Sequence, residues 1–234
     1  MVCITETRLP VLNIYEWETP ATDYKEEQID NYCIGRHTYS KRIPYYTEMD
    51  GYRFYNVREP IRMTTLKEFR NGKWECWMID SPTDYRAMQR YAEASKGKVL
   101  TTGLGLGLVA HELCKNDKVE SVTIVERNPS VISLVSKYLP EDERITIKQD
   151  DFWRFIMLDD TKWDTIIVDL WVFRGTEAHA KIYLEEIIPL NKSLKAKYPE
   201  AQIVFHAFAG MPDKDDVIMS RVGDETDNMI WGLG

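Results

Sequence analysis

Four acidic residues and three glycines set the chemistry to be expected of this chain. Glu126 closes the β-prone run 121–126, Asp150 and Asp151 follow the run 145–148, and Asp169 follows 165–168. Gly103, Gly105 and Gly107 alternate directly after a fourth apolar run, 99–102. A carboxylate at a strand tip can accept both hydroxyls of a ribose. A glycine turn lets the backbone approach a ligand, and the helix after it presents unpaired N–H groups. Strand, glycine turn, helix, strand and terminal acid in that order describe a βαβ unit that holds a nucleoside.

The spacing narrows the kind of nucleoside. A dinucleotide site places its third glycine three residues after the second, where this chain has Leu108; here the third is Gly107. In an open parallel sheet the ligand lies at the carboxyl ends of the strands, where the acids would repel a pyrophosphate. The same edge suits ribose hydroxyls, an adenine amino group and a positive charge. S-adenosylmethionine, or its decarboxylated relative, carries that charge as a sulfonium. Asp169 is the acid placed to act as a base if a nucleophile must lose a proton. Trp171 and Phe173 beside it would form an aromatic wall, or pack as core or lid. His206 follows the run 202–205 and reaches the same edge, as a structural residue or a base.

These residues need elements to position them. Runs 62–69 and 73–79 flank Asn71-Gly72, the signature of a tight hairpin, with Trp74, Cys76 and Met78 expected on one face. Ser81-Pro82 starts a helix to about Ser95, with Tyr85, Met88 and Ala92 inward. Strands at 99–102, 121–126, 145–148, 165–168 and 202–205 then alternate with helices. The first helix carries Leu106, Val109, Ala110 and Leu113 at helical spacing. The second starts at Asn128-Pro129 and buries Val131, Ile132, Val135 and Tyr138. A short one spans 152–158, and a long one spans 177–197 with Ile182, Leu184, Ile187, Ile188 and Leu194 as its apolar stripe. This alternation predicts an α/β fold with a Rossmann-like parallel sheet. The division expected is an aromatic-rich region with a β-hairpin over 1–80 and a nucleoside-binding domain over 81–234. Residues 51–57 read as a strand, and 1–50, with Tyr15, Trp17, Tyr24, Tyr32, Tyr39, Tyr45 and Tyr46 among charges, as a meandering cap whose aromatics pack on the main body or as an aromatic surface over a substrate pocket. The apolar pieces 217–219 and 229–231 read as an edge hairpin or a packed tail.

Composition excludes other classes. The chain has 234 residues, 44% hydrophobic and 29% charged, with a net charge of -8. A general phosphate-backbone binder needs clustered Lys and Arg, so nucleic acid is not an expected partner. No apolar run approaches the roughly 20 residues that span a bilayer. Cys3, Cys33, Cys76 and Cys114 are scattered without a CxxC pair, so neither a metal site nor a disulfide framework is expected. With no leader-like N-terminus, the expected location is cytoplasmic. The expected partner is a small molecule, and a homodimer is left open.

The stretches GKVLTTGLGLG, VTIVERNPSVISLV and WDTIIVDLW resemble the class I S-adenosylmethionine-dependent methyltransferase superfamily, and within it the spermidine synthase-like branch. The resemblance covers about residues 97–206. It implies that Gly103, Leu104, Gly105 and Gly107 line the aminoacyl or aminopropyl portion and the ribose. It further implies that Glu126, with Arg127 beside it, binds the ribose hydroxyls, that Asp150 and Asp151 meet the adenine, and that Asp169 sits at the reactive centre. The chain departs from the branch where Asp-Ser-Ser/Thr-Asp-Pro is usual: it has Asp169-Leu170-Trp171-Val172-Phe173, with Val172 in place of the second acid. The acid-rich motif ahead of the first helix is reduced to an echo in Asp80 and Asp84. The leading expectation is therefore methyl transfer to a small or aromatic acceptor. The alternatives are aminopropyl transfer from decarboxylated S-adenosylmethionine and a nucleoside-binding module without transfer activity.

Overall fold

A computed structural model describes residues 11–12, 18–39, 42–47, 51–57, 60–171 and 181–206. The first seven strands are β1 (Val11–Leu12), β2 (Glu27–Ile29), β3 (Tyr32–Tyr39), β4 (Arg42–Thr47), β5 (Gly51–Val57), β6 (Ile61–Arg70) and β7 (Lys73–Ile79). They form a three-stranded sheet ordered β1-β5-β4 and a four-stranded antiparallel sheet ordered β2-β3-β6-β7. The meandering cap expected over 1–50 is thus largely strand where it is described. Tyrosines and charges without strict alternation hid it, because pairing partners rather than local pattern decide such strands. The hairpin expected at Asn71-Gly72 is present. Both residues adopt positive φ, 52° and 79°, which is what a two-residue turn between twisted strands demands.

One face assignment is corrected. The register slips between Leu66 and Lys67, so that Lys67 pairs with Cys76 while Leu66 pairs with Met78. Trp77 is the extra residue of this bulge, and a one-residue bulge turns the rest of its strand to the opposite face. Trp74 and Cys76 therefore share the face of Lys67, and Met78 shares that of Leu66, which packs on the main core.

Helix α1 (Pro82–Ala94) comes next, capped by Ser81, whose hydroxyl oxygen accepts the Asp84 N–H at 3.2 Å. Its expected inner residues Tyr85, Met88 and Ala92 are all buried. Then come β8 (Gly97–Thr102), α2 (Leu108–Leu113), β9 (Val119–Glu126), α3 (Pro129–Val135), β10 (Ile145–Gln149), α4 (Phe152–Leu158), β11 (Thr165–Val168), α5 (Ile188–Lys197) and β12 (Gln202–Phe205). The five strands are all parallel, ordered β10-β9-β8-β11-β12. The order reverses direction beside β8, which is the Rossmann-like arrangement with its ligand crevice at the tip of that strand. Alternate strand residues supply two apolar layers. Val99, Val122, Ile124 and Ile167 pack with α1, α2, α3 and the N-terminal sheet, while Leu100, Val125, Ile166, Val168 and Phe205 pack with α4 and α5.

The apolar stripe of the long helix is also corrected. Five residues ahead of α5, Tyr183–Ile187, wind as a π turn, in which the Ile188 N–H reaches back to the Tyr183 carbonyl. Pro189 has no N–H to offer a normal helical bond at this point. The wider turn shifts the phase, so the buried set is Tyr183, Ile187, Leu190 and Leu194, and Leu184 and Ile188 are exposed. Residues 177–180 and 207–234 lie outside the described residues, and with them the expected start of this helix and the apolar pieces 217–219 and 229–231.

The N-terminal segment is tied into the main body at named atoms. The Arg36 guanidinium gathers the carbonyls of Ala21, Thr22 and Tyr24. Tyr24 stacks on Tyr138 at 4.1 Å and donates its hydroxyl to the Leu106 carbonyl at 3.0 Å, bracing the glycine turn from outside.

Candidate nucleoside site

The tips of the parallel strands are stitched together one residue beyond each strand. Gly103 N–H donates to the Val125 carbonyl at 2.8 Å, and Asp150 N–H to the Glu126 carbonyl at 3.1 Å. Asp169 N–H donates to the Thr102 hydroxyl oxygen at 2.8 Å, and His206 N–H to the Val168 carbonyl at 2.8 Å. These bonds bring Gly103, Glu126, Asp150, Asp169 and His206 to one edge, as the acids at the strand ends led us to expect.

At the glycine turn, Gly103 has φ of 75°, and a Cβ there would lie 3.3 Å from the Asp169 carbonyl. The tips of β8 and β11 thus approach as closely as a bare backbone permits. Gly107 forms the left-handed N-cap of α2, with φ of 73°, and a Cβ there would meet Leu139 Cδ2 at 2.6 Å. Its bare side turns into the core. Gly105 lies against the Met78 sulfur, which accepts the Leu106 N–H at 3.2 Å. Leu104 is buried and gives its N–H to Glu126 Oε2 at 2.9 Å, while Oε1 takes the Asn128 N–H at 2.8 Å. Held by two backbone donors, the Glu126 carboxylate has one orientation and keeps lone pairs on both oxygens. Arg127 beside it is exposed.

After β10 the two acids take different tasks. Asp151 caps α4, accepting from Trp153 and Arg154 N–H groups at 3.0 and 3.3 Å. Asp150 Oδ1 takes the Asp151 N–H at 2.7 Å and the Arg154 guanidinium at 2.6 Å, and that pairing holds its carboxyl below the ordinary range. Among the described residues its Oδ2 stays open to a ligand.

The other half of the edge gathers residues from distant parts of the chain. Asp84, in the first turn of α1, accepts the Ser81 hydroxyl at 2.6 Å, and its Oδ1 lies 4.0 Å from His206 Nε2. His206 Nδ1 in turn lies 3.5 Å from the Tyr91 hydroxyl. Burial pushes the Asp84 carboxyl above its ordinary value, against the pull of His206 and Ser81, and nearby Asp169 and Asp80 push it further. Tyr39, at the end of β3, is pushed up to about 12 by burial, with Asp84 and Cys76 adding to the shift. Asp80, by contrast, is consumed by structure: it accepts the Thr64 N–H at 2.7 Å and the Thr19 hydroxyl at 2.6 Å. The echo in Asp80 and Asp84 therefore divides into one brace and one site residue. Tyr91 carried no sequence signal, and Tyr39 stood out only as one tyrosine of the aromatic-rich N-terminal region. Neither sits at a strand tip of the parallel sheet, and only the fold brings them there.

Trp171 donates its Nε1–H to Glu186 Oε2 at 2.6 Å and lies 6.3 Å from the Phe205 ring, so it packs toward α5 and β12. Val172 and Phe173 lie outside the described residues. Among the described residues no group of three or more His, Cys, Asp or Glu could hold a metal ion, and no helix is long and apolar enough to cross a membrane.

The arrangement offers a hydroxyl-binding carboxylate at one end and an acid pair with a histidine at the other. Such an edge concentrates cations and can relieve an ammonium of its proton. Residues 87–197 match the spermine/spermidine synthase domain. A polyamine aminopropyltransferase from Clostridium botulinum is 36% identical over 78 residues, 31% of this chain and 28% of that protein. Spermine synthase SPE4 from Saccharomyces cerevisiae is 36% identical over 91 residues, covering 34% and 30% respectively. The chain thus spans less than a third of the length of the curated relatives it matches. Among solved structures, a spermidine synthase from Thermotoga maritima aligns at 20% identity and a TM-score of 0.37, over 62% of this chain and 58% of that one.

Proposed function

We propose, from the spermine/spermidine synthase domain at residues 87–197, that this chain transfers an aminopropyl group from decarboxylated S-adenosylmethionine to an amine. The observation that carries the reading is the approach of Asp84 to His206 and Asp169. The sequence has Val172 where the branch has its second acid, and Asp84 brings a carboxylate to the same edge from another element. With it, the case against a cationic acceptor weakens. Methyl transfer, the leading expectation from sequence, rests on the superfamily alone, and the Trp171 side chain invoked for it is engaged by Glu186.

In this reading Glu126 holds the ribose hydroxyls, with Arg127 at its solvent side, and Asp150 Oδ2 meets the adenine amino group. Asp151 contributes by fixing α4 beneath it. Gly103, Leu104 and Gly105 form the floor under the sulfonium arm, and Gly107 sets the start of α2. Asp169 and Asp84 draw in the acceptor ammonium, and Asp169 takes its proton. The freed nitrogen lone pair attacks the aminopropyl carbon bonded to sulfur. The carbon–sulfur bond breaks, its electron pair stays on sulfur, and neutral methylthioadenosine leaves. Alignment of nitrogen, carbon and sulfur supplies most of the rate, since no covalent intermediate is needed.

The test is product identity by mass spectrometry, with each sulfonium nucleoside offered beside a panel of mono-, di- and triamines. Methylthioadenosine formed only with the decarboxylated nucleoside and an amine supports the proposal. S-adenosylhomocysteine as the sole product would establish methyl transfer instead. Binding of the nucleosides without either product would leave a nucleoside-binding module.

A further inference from the structure

The face of the antiparallel sheet that carries Lys67 holds groups that the transfer chemistry does not use. Lys67 stands on β6 between Cys33 of β3 and Cys76 of β7, its partners in register. It is partly buried and has no carboxylate partner among the described residues. Two residues earlier, Thr65 is 1% exposed and its hydroxyl has no hydrogen-bond partner among the described residues. Both border Gly35. A Cβ added there would lie 3.4 Å from Thr65 Oγ1 and 3.7 Å from Lys67 Nζ. An ammonium and a buried hydroxyl thus flank a spot where the chain withholds a side chain. Leaving the buried Thr65 hydroxyl without a partner is costly, and the cost falls if a ligand oxygen, drawn by the Lys67 ammonium, fills the spot.

The same face of β3 carries His37 and Tyr39 toward the acid end of the site. His37, next on the same face of β3, meets Tyr39 edge-on at 4.6 Å. Tyr39 and Cys76 both lie within electrostatic reach of Asp84, and Cys76 also feels Lys67. Asp84 and Lys67 thus bear on the same stretch of this face, and among the described residues Lys67 has no carboxylate partner. A polyamine, cationic at every end, would be repelled at Lys67.

We propose that the acceptor is an amine that carries a carboxylate at the end remote from its attacking nitrogen, and that Lys67 and Thr65 receive that carboxylate beside Gly35. What happens at the nitrogen rests on the aminopropyl-transfer reading; the binding preference does not. The two probes are γ-aminobutyrate and putrescine, which share a chain and differ in charge at one end. Calorimetry on the full chain is expected to find γ-aminobutyrate bound more tightly, by on the order of tenfold. Lys67→Met should erase that preference, Lys67→Glu should invert it, and Thr65→Val should weaken γ-aminobutyrate while sparing putrescine. Tighter binding of putrescine to the natural chain, binding of neither, or a preference that survives Lys67→Met overturns the proposal. A preference for γ-aminobutyrate without turnover of any amine supports it and counts against the transfer reading alone.

Discussion

His206 Nε2 lies 4.0 Å from Asp84 Oδ1, which joins the tip of the last described strand to the first turn of the helix ahead of the parallel sheet. The residues come from opposite ends of the Rossmann-like unit, and Asp169 stands on the strand beside His206. Desolvation and the neighbouring Asp169 favour the protonated form of the Asp84 carboxyl, and His206 opposes them.

Asp169→Asn should reduce turnover by roughly two to four orders of magnitude, the usual worth of a positioned acid–base group. The Asp169 backbone N–H, not its side chain, holds the Thr102 hydroxyl. The fold should therefore survive, and binding of methylthioadenosine should change by less than about tenfold. Single-turnover rates beside calorimetry check this. Unchanged turnover would remove Asp169 from the chemistry.

Asp84→Asn separates function from stability. The Asp84 pKa is raised in the folded chain, chiefly by burial, so the native state holds its proton more tightly than the unfolded one. That contribution to stability is present at acid pH and is lost as pH rises from the unfolded carboxylate value through the raised folded one. Above the raised folded value the ionised group is a burden, and Asn relieves it. The variant should gain in melting temperature over the natural chain as pH rises, lose that advantage in acid, and transfer slowly at every pH. Melts across a pH series, paired with rates, read both effects.

Much of the parallel half was legible because its signals are local. The runs at 165–168 and 202–205 became β11 and β12 with the same bounds, and Asn128 and Ser81 cap the helices they announced. The features that stayed hidden depend on contacts far apart in sequence. The bulge at Trp77 is decided by pairing with β6, and it sent Met78 to the glycine turn rather than to the face of Cys76. The π turn ahead of Pro189 moved the apolar stripe off Leu184. Asp84, the acid on α1 that the proposed function sets beside Asp169, was visible to strand-tip reasoning only as an echo.

Glu126→Gln tests the nucleoside end. Both Glu126 oxygens accept backbone N–H groups, so an amide must turn its NH2 toward Leu104 N–H or Asn128 N–H. One donor then loses its partner, at about 1–3 kcal/mol. The variant should lose stability in urea melts and bind methylthioadenosine at least about tenfold more weakly. Arg127→Ala, at an exposed neighbour, should leave the melt within about 0.5 kcal/mol. If the two variants behaved alike, Glu126 would not be an oriented ribose ligand.

Gly107→Ala probes whether the glycine turn is built for the ligand or for the core. At φ of 73° any L side chain is strained, and its Cβ would press on Leu139 Cδ2 at 2.6 Å and Val135 Cγ1 at 3.4 Å. Strain and crowding together should cost about 2–4 kcal/mol. Gly105→Ala carries left-handed strain too, at φ of 52°, but meets only the flexible end of Met78, so it should cost less while changing the support beneath the sulfonium arm. The expected pattern is a large stability loss at Gly107, and at Gly105 a larger loss of nucleoside affinity than of stability. Urea melts beside methylthioadenosine titrations distinguish them. The reverse pattern would mean that the turn opens toward the ligand at Gly107.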